Sequence, residues 1–145
     1  MRVREAMTRD VFVARPDQTL LEAARAMGEI DIGALPVGEN DRLVGMITDR
    51  DIAVRAVARN KGPLTPVREV MTRDVKFCYE DEDAGHVARN MAELQVRRLP
   101  VLDRDKRLVG ILALSDLATQ AGSRPAAQAL EGISQPGGQH SQRVA

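Results

Sequence analysis

The sequence predicts a mixed α/β (α+β) fold made of two copies of one β-α-β-β-α unit. Three observations carry that expectation. First, Met7-Thr8-Arg9-Asp10-Val11 returns residue for residue as Met71-Thr72-Arg73-Asp74-Val75, 64 positions later. Further matches follow in order: Val3-Arg4-Glu5 with Val67-Arg68-Glu69, Leu35-Pro36-Val37 with Leu99-Pro100-Val101, and Arg42-Leu43-Val44-Gly45 with Arg107-Leu108-Val109-Gly110. The last pair is offset by 65, so the second copy carries one more turn residue. Second, apolar residues recur at helical spacing at the same place in both copies. Third, two strand-like runs joined by turn residues come next in each copy. The period is longer than the roughly 20–50 residues of solenoid repeats, so the copies are read as two supersecondary units packed together. A unit of about 60 residues buries only about 60% of its unfolded surface and is marginal alone, which gives the duplication a physical reason.

In chain order, each copy opens on a short strand, Val11-Phe12-Val13 and Val75 to Tyr79. A helix follows with its apolar stripe at Leu20, Ala23, Ala24, Met27 and Ile30 in one copy and at Ala84, Val87, Ala88, Met91 and Leu94 in the other. Thr19-x-x-Glu22 has the form of a capping box at the first of these helices. Two strands come next, at about 32–37 and 42–48, then at 96–102 and 107–113. Gly38-Glu39-Asn40-Asp41 and Asp103-Arg104-Asp105-Lys106 have hairpin composition. A second helix closes each unit, from Asp49 to about Asn60, stopped by Gly62 and Pro63, and from Ser115 to about Ala121. The expected boundaries are 1–60 for the first repeat, 61–121 for the second and 122–145 for a flexible tail rich in Gly, Ser, Pro and Gln, with room for a short turn around Ala126 to Leu130.

Composition excludes several function classes. The chain has 145 residues with 21 basic and 21 acidic side chains, so its formal charge is zero. Nucleic acid or an anionic membrane as main partner would favour a basic surplus. Two Phe, one Tyr and no Trp leave little for stacking single-stranded bases. No long apolar run and no basic start before an apolar stretch occurs, so neither a membrane span nor a signal peptide is expected, and a cytoplasmic protein is. The single cysteine, Cys78, forms no intrachain disulfide and reads as a packed strand residue. His86 and His140 are isolated, no ligand set has metal spacing, and Ser115 has no histidine placed to activate it; no enzyme chemistry is expected.

Two constellations stand out. Thr48-Asp49-Arg50-Asp51 takes a strand straight into a helix, with hydroxyl and carboxylate three residues apart. Exposed N–H groups and the helix dipole favour an anion there, and a carboxylate accepts both hydroxyl protons of a ribose. The same Thr-x-x-Asp spacing is also a plain capping box, and the sequence leaves both readings open. Arg97-Arg98 opens a strand; adjacent strand residues face opposite ways, so at most one guanidinium points into a given cleft. The first copy has Gly33-Ala34 in that place.

Taken together, Met-Thr-x-Asp-Val, the Leu-Pro-Val strand, the Arg-Leu-Val-Gly hairpin and the Thr-x-x-Asp helix start resemble a tandem pair of CBS domains, the Bateman module, over about residues 1–121. Among these proteins the chain is similar to the stand-alone bacterial CBS pairs. It is too short for the catalytic barrel of inosine monophosphate dehydrogenase, which carries such a pair as an insert. The resemblance implies two repeats related by a pseudo-twofold axis, with two clefts that hold AMP, ADP, ATP or S-adenosylmethionine in many members and are empty or altered in others. It places Thr48, Asp51, Thr72, Asp74, Val75, Arg97 and Arg98 in a main cleft. A second cleft takes Thr8, Asp10, Val11, Gly33, Ala34 and Asp116, with Ala113 where the threonine belongs and no cation. The implied function is a non-enzymatic regulatory or signal-transducing module with no required cofactor, a homodimer acting on an unknown regulated protein. The alternative is a ligand-free dimeric interaction platform.

Overall fold

The computed structural model describes residues 1–118. The expected tail at 122–145 and the end of the second closing helix lie outside the described residues. In chain order the elements are the single turn α1 (Val3–Ala6), helix α2 (Leu20–Ile30), strands β1 (Ala34–Glu39) and β2 (Arg42–Thr48), helix α3 (Asp49–Asp51), strand β3 (Cys78–Tyr79), helix α4 (Ala84–Leu94), strands β4 (Arg98–Leu102) and β5 (Leu108–Ala113), and the turn α5 (Leu114–Asp116). Helix α3 runs on as a π-type stretch, Ile52–Ala56, and a 3-10 stretch, Val57–Arg59.

The chain forms two compact units, one of Phe12–Val75 and one of Met1–Val11 with the described residues from Lys76 onward. These units are offset from the sequence repeats. The opening segment of each repeat belongs to the unit that holds the other repeat's hairpin.

In the unit Phe12–Val75, α2 starts because Thr19 Oγ1 accepts from Glu22 N at 3.2 Å. The Glu22 carboxylate accepts from the Thr19 hydroxyl and the Gln18 amide, so only the threonine half of the box takes its usual form. The buried face is Leu20, Ala23, Ala26 and Met27; Ala24 faces outward and Ile30, on the last turn, is 48% exposed. The hairpin β1–β2 pairs Ala34 with Thr48 and Leu35 with Ile47. Asn40 and Asp41 both take positive φ, 53° and 63°, as a two-residue turn matched to the strand twist requires. The strand expected at Val11-Phe12-Val13 does not form. Val11 N donates instead to Arg9 O in a tight turn, and pairing is confined to a bridge between Ala14 and Val37. Thr72 adds a further bridge on β2, exchanging bonds of 2.9 and 2.8 Å with Met46. Leu35, Val37 and Ile47 pack with Val67, Val70 and Met71 in one core. The closing helix ends at Asn60, whose φ of 58° turns the chain before Gly62 and Pro63 are reached.

The second unit repeats this plan. Strand β3 is parallel to β4 and β4 antiparallel to β5. Helix α4 is capped by Asp83, whose carboxylate accepts from His86 N at 3.0 Å, and it buries Ala84, Val87, Ala88 and Met91. The longer hairpin turn is closed by Asp103, which accepts from Arg107 N at 2.9 Å. Thr8 bridges Ile111 on β5 with two bonds of 2.9 Å, as Thr72 does on β2. Val3, Ala6 and Met7 therefore join the core of Leu99, Val101 and Leu112. Cys78 is buried beside Pro100, as expected of a packed strand residue.

Candidate functional site

Strand β2 delivers Thr48 to the start of α3, where the chain's two opposite polar groups meet. Asp51 N donates to Thr48 Oγ1 at 3.0 Å, and Thr48 N donates to Asp51 Oδ2 at 3.0 Å. The capping box is thus formed in full. It uses one lone pair of the hydroxyl and one carboxylate oxygen; the hydroxyl proton and Asp51 Oδ1 stand outside it. Both residues are half-buried, so the pair sits at the surface. Ala34 lies across from Thr48 in the hairpin. Gly33 lies against the same helix start: its carbonyl accepts from Asp49 N at 2.9 Å, and a Cβ there would stand 2.7 Å from Asp49 Oδ2. Thr72 is seated on β2 at Met46, two residues before Thr48. Asp74 and Val75 lie in a tight turn closed from Val75 N to Arg73 O at 3.0 Å.

The corresponding helix start of the other unit differs in chemistry. Asp116 Oδ2 accepts from Ala113 N at 3.0 Å, but Ala113 brings only a methyl group and returns no hydroxyl. Arg97 O accepts from Leu114 N at 3.0 Å, the counterpart of the Gly33–Asp49 bond, and Arg98 lies across from Ala113. Thr8, Asp10 and Val11 belong to this unit too, with Val11 held in the same tight turn as Val75. Of the main set, Thr48, Asp51, Thr72, Asp74 and Val75 fall in one unit and Arg97 and Arg98 in the other. Of the second set, Gly33 and Ala34 are the pair in the first unit.

Three residues that sequence reasoning passed over belong to this picture. Asp49 leans over Gly33. Arg55 Nη1 donates to Val70 O at 3.2 Å, tying the closing helix to the segment that carries Thr72. Gly45 makes room for Met71 and Thr72. Asp49 stood inside the Thr-x-x-Asp motif, but its contact with Gly33 joins residues far apart in sequence and leaves no local mark.

Among the described residues no group of three or more His, Cys, Asp or Glu side chains is placed to hold a metal ion, and no helix is long and apolar enough to cross a membrane.

A family model described as the CBS domain matches residues 3–57 and again 67–121. The chain is 42% identical to the CBS domain-containing protein YhcV of Bacillus subtilis over 133 residues, 91% of this chain and 94% of that one. It is 38% identical to Hypoxic response protein 1 of Mycobacterium tuberculosis over 136 residues, 92% and 94% of the two chains. The crystal structure of that protein, with two coordinated zinc ions, superposes at a TM-score of 0.75 with 37% identity, covering 82% of this chain and 98% of the other. The CBS pair of MJ0100, solved with 5-methylthioadenosine and S-adenosyl-L-methionine, gives 0.72 with 32% identity over 82% and 94%. CBSX2, solved with AMP, gives 0.72 with 25% identity over 81% and 93%.

Proposed function

Because this chain belongs to the CBS-domain family and carries two tandem CBS repeats in a mixed α/β fold, we propose that it is a non-enzymatic regulatory module that binds an adenosine-type ligand. The observation that carries this reading is the Thr48–Asp51 helix start, with a free hydroxyl proton and a carboxylate oxygen beside the N-terminus of a helical stretch. An Asp51 oxygen suits the ribose hydroxyls, and the helix end suits a polar 5′ substituent. Relatives solved with AMP, 5-methylthioadenosine and S-adenosylmethionine support the ligand class. Nearly the whole length of YhcV is matched, whereas only 22% of the inosine-5′-monophosphate dehydrogenase of Methanocaldococcus jannaschii is, which supports a regulatory rather than catalytic role. In this reading the protein is a cytoplasmic homodimer, needs no cofactor, and passes a binding change to a regulated partner by favouring one of two arrangements.

Calorimetric titration with AMP, ADP, ATP and S-adenosylmethionine tests it. At about 100 times its dissociation constant a true ligand stabilises the fold by about 2.7 kcal/mol, a shift of several degrees in melting temperature. A second reading, a ligand-free dimeric platform, is favoured by the completed Thr48–Asp51 cap, since both side chains already serve the helix start. No binding of any adenine compound at millimolar concentration would establish that reading instead.

A further inference from the structure

The opening segments of the two repeats are almost the same peptide in almost the same seat. Val3-Arg4-Glu5-Ala6-Met7-Thr8-Arg9-Asp10-Val11 and Val67-Arg68-Glu69-Val70-Met71-Thr72-Arg73-Asp74-Val75 differ only at Ala6 and Val70, both buried. Their backbone bonds match one for one. Val3 N donates to Glu82 O and Arg4 N to Glu80 O in one unit, Val67 N to Gln18 O and Arg68 N to Pro16 O in the other, and the Thr8–Ile111 and Thr72–Met46 bridges follow. The seat therefore recognises the peptide itself, whatever stretch of chain connects the two. In the second unit the seat is braced without the peptide's help. Arg104 grips both carboxylate oxygens of Asp81 at 2.8 Å and lies 4.1 Å over the Tyr79 ring. Glu82 accepts from Tyr79 N and Asp83 from His86 N, each at 3.0 Å. Into this seat go Val3, Ala6 and Met7, which join the core, and the Arg2 guanidinium, which donates to Asp81 O.

The link out of the seat has few fixings. Between the Thr8 bridge in one unit and the Ala14 N to Pro36 O bond in the other, residues 9–13 make, among the described residues, one backbone hydrogen bond, Val11 N to Arg9 O at 3.0 Å. Arg9, Asp10, Phe12 and Val13 are exposed. The seat's hydrogen-bonding residues lie between Glu80 and Ile111, and the intervening Phe12–Val75 is a folded unit of its own. We propose that the opening segment also docks in trans: two copies of this chain exchange residues 1–8, so that Val3, Ala6 and Met7 of each copy complete the core of the other's second unit. Opening the 9–13 link is the one change this demands, because every contact between segment and seat is the same in the closed and exchanged forms. A tethered segment has an effective concentration of roughly millimolar at its own seat, so a second copy competes as the protein approaches that range. Once one segment has crossed, the reciprocal crossing takes place inside a single complex. No ligand is needed for it.

The test has two arms. In the first, full-length Val57→Glu, which removes association through the exposed closing-helix face, is unfolded in urea and refolded at about 1 µM and at about 0.5 mM, then sized by light scattering. The expected result is monomer at the lower concentration and a dimer fraction at the higher one. That dimer persists for hours after dilution, since reversal must withdraw three buried side chains from a core. In the second arm, otherwise wild-type Thr8→Cys and Ile111→Cys chains are refolded together at the higher concentration and oxidised. Positions 8 and 111 face each other across the bridge, and neither variant can join them within one chain. Peptide mapping is expected to find a disulfide between position 8 of one chain and position 111 of another, and not to find it when the two are folded separately and then mixed. Melting temperatures confirm folding, and if Ile111→Cys does not fold, the first arm decides. Monomer at both concentrations, a dimer that redistributes within minutes of dilution, or a persistent dimer of folded variants without the 8–111 link overturns the proposal.

Discussion

Met71 closes over Gly45: a Cβ added to Gly45 would stand 2.8 Å from Met71 Sδ and 2.8 Å from the carbonyl oxygen of Thr72. The arrangement recurs at Gly110, where a Cβ would meet Thr8 O at 2.6 Å and Met7 Sδ at 3.0 Å. Two motifs, Arg-Leu-Val-Gly and Met-Thr-x-Asp-Val, which stand 26 residues apart at Gly45 and Met71 and 103 apart at Gly110 and Met7, are thus the two sides of one recurring contact.

Gly45→Ala is expected to destabilise the fold by about 1–3 kcal/mol through overpacking, lowering the melting temperature by roughly 3–10 °C. A methionine side chain yields, but the Thr72 carbonyl belongs to a bridge and does not. Gly28→Ala is the contrasting variant: a Cβ there has nothing within 4 Å and the residue sits inside α2. It should stabilise by about 0.5–1 kcal/mol. Differential scanning calorimetry reads both, and equal shifts would deny the close approach at Gly45.

Asp51→Ala removes the acceptor for Thr48 N–H and one acceptor for the ribose. Loss of the cap costs about 1 kcal/mol of stability, and loss of a charged hydrogen bond costs about 1.5–3 kcal/mol of binding, roughly ten- to a hundredfold in affinity. Asp116→Ala should affect binding much less, because Ala113 supplies no hydroxyl beside it. Tight binding that disappears with Asp116 and survives loss of Asp51 would invert the assignment.

Replacing Arg97 and Arg98 together with alanine should weaken AMP or ATP far more than adenosine, since what a guanidinium adds is a paired contact to phosphate. Equal losses for adenosine and AMP would point to a packing role for these arginines instead.

Cys78 is held as a thiol: burial first, then the nearby Glu82 carboxylate, push its pKa from 9.0 up to about 12. The folded protein should resist thiol reagents at pH 8 and react on unfolding in urea. Because the folded value is the higher one, this stabilisation is complete below pH 9 and is lost as pH rises toward 12. Cys78→Ala should therefore show a shallower loss of stability over that window than wild type, measured by urea midpoints.

Val57 is 69% exposed, Leu64 75% and Val54 46%, in one unit and all on or just after the closing helix. If a second copy covers this face, light scattering gives twice the chain mass of 15.9 kDa for wild type and a monomer for Val57→Glu. A monomeric wild type at micromolar concentration refutes the dimer.

Local pattern carried much of this architecture. The helical stripes of α2 and α4, the hairpins, and the capping relation of Thr48 to Asp51 all follow from period, turn residues and three-residue spacing. At the first opening segment the pattern misled. Val11-Phe12-Val13 has strand composition, yet its backbone closes a tight turn at Arg9 and leaves pairing to Ala14. The closing helix ends at about Asn60 as its pattern suggests, and Asn60 itself, tolerant of left-handed backbone, makes the turn ahead of Gly62 and Pro63. Asp83 caps α4 from the position directly before Ala84, a signal that is local in the sequence. The seating of Thr72 on Met46 and of Thr8 on Ile111 joins one repeat's beginning to the other's hairpin, and no window of neighbouring residues contains that information.

The exchange of opening segments also sets an order of completion during synthesis. Every residue of the unit Phe12–Val75 has been made once Val75 leaves the ribosome. The other unit draws on residues 1–11, made earlier, and cannot close until Gly110 and Ile111 emerge to receive Met7 and Thr8. Residues 1–11 must therefore travel unpaired, with Val3, Ala6 and Met7 exposed, while the neighbouring unit along the chain is already folding. A fragment stopped at Val75 keeps one unit whole, whereas a cut at residue 60, between the sequence repeats, deprives both units of a core segment at once.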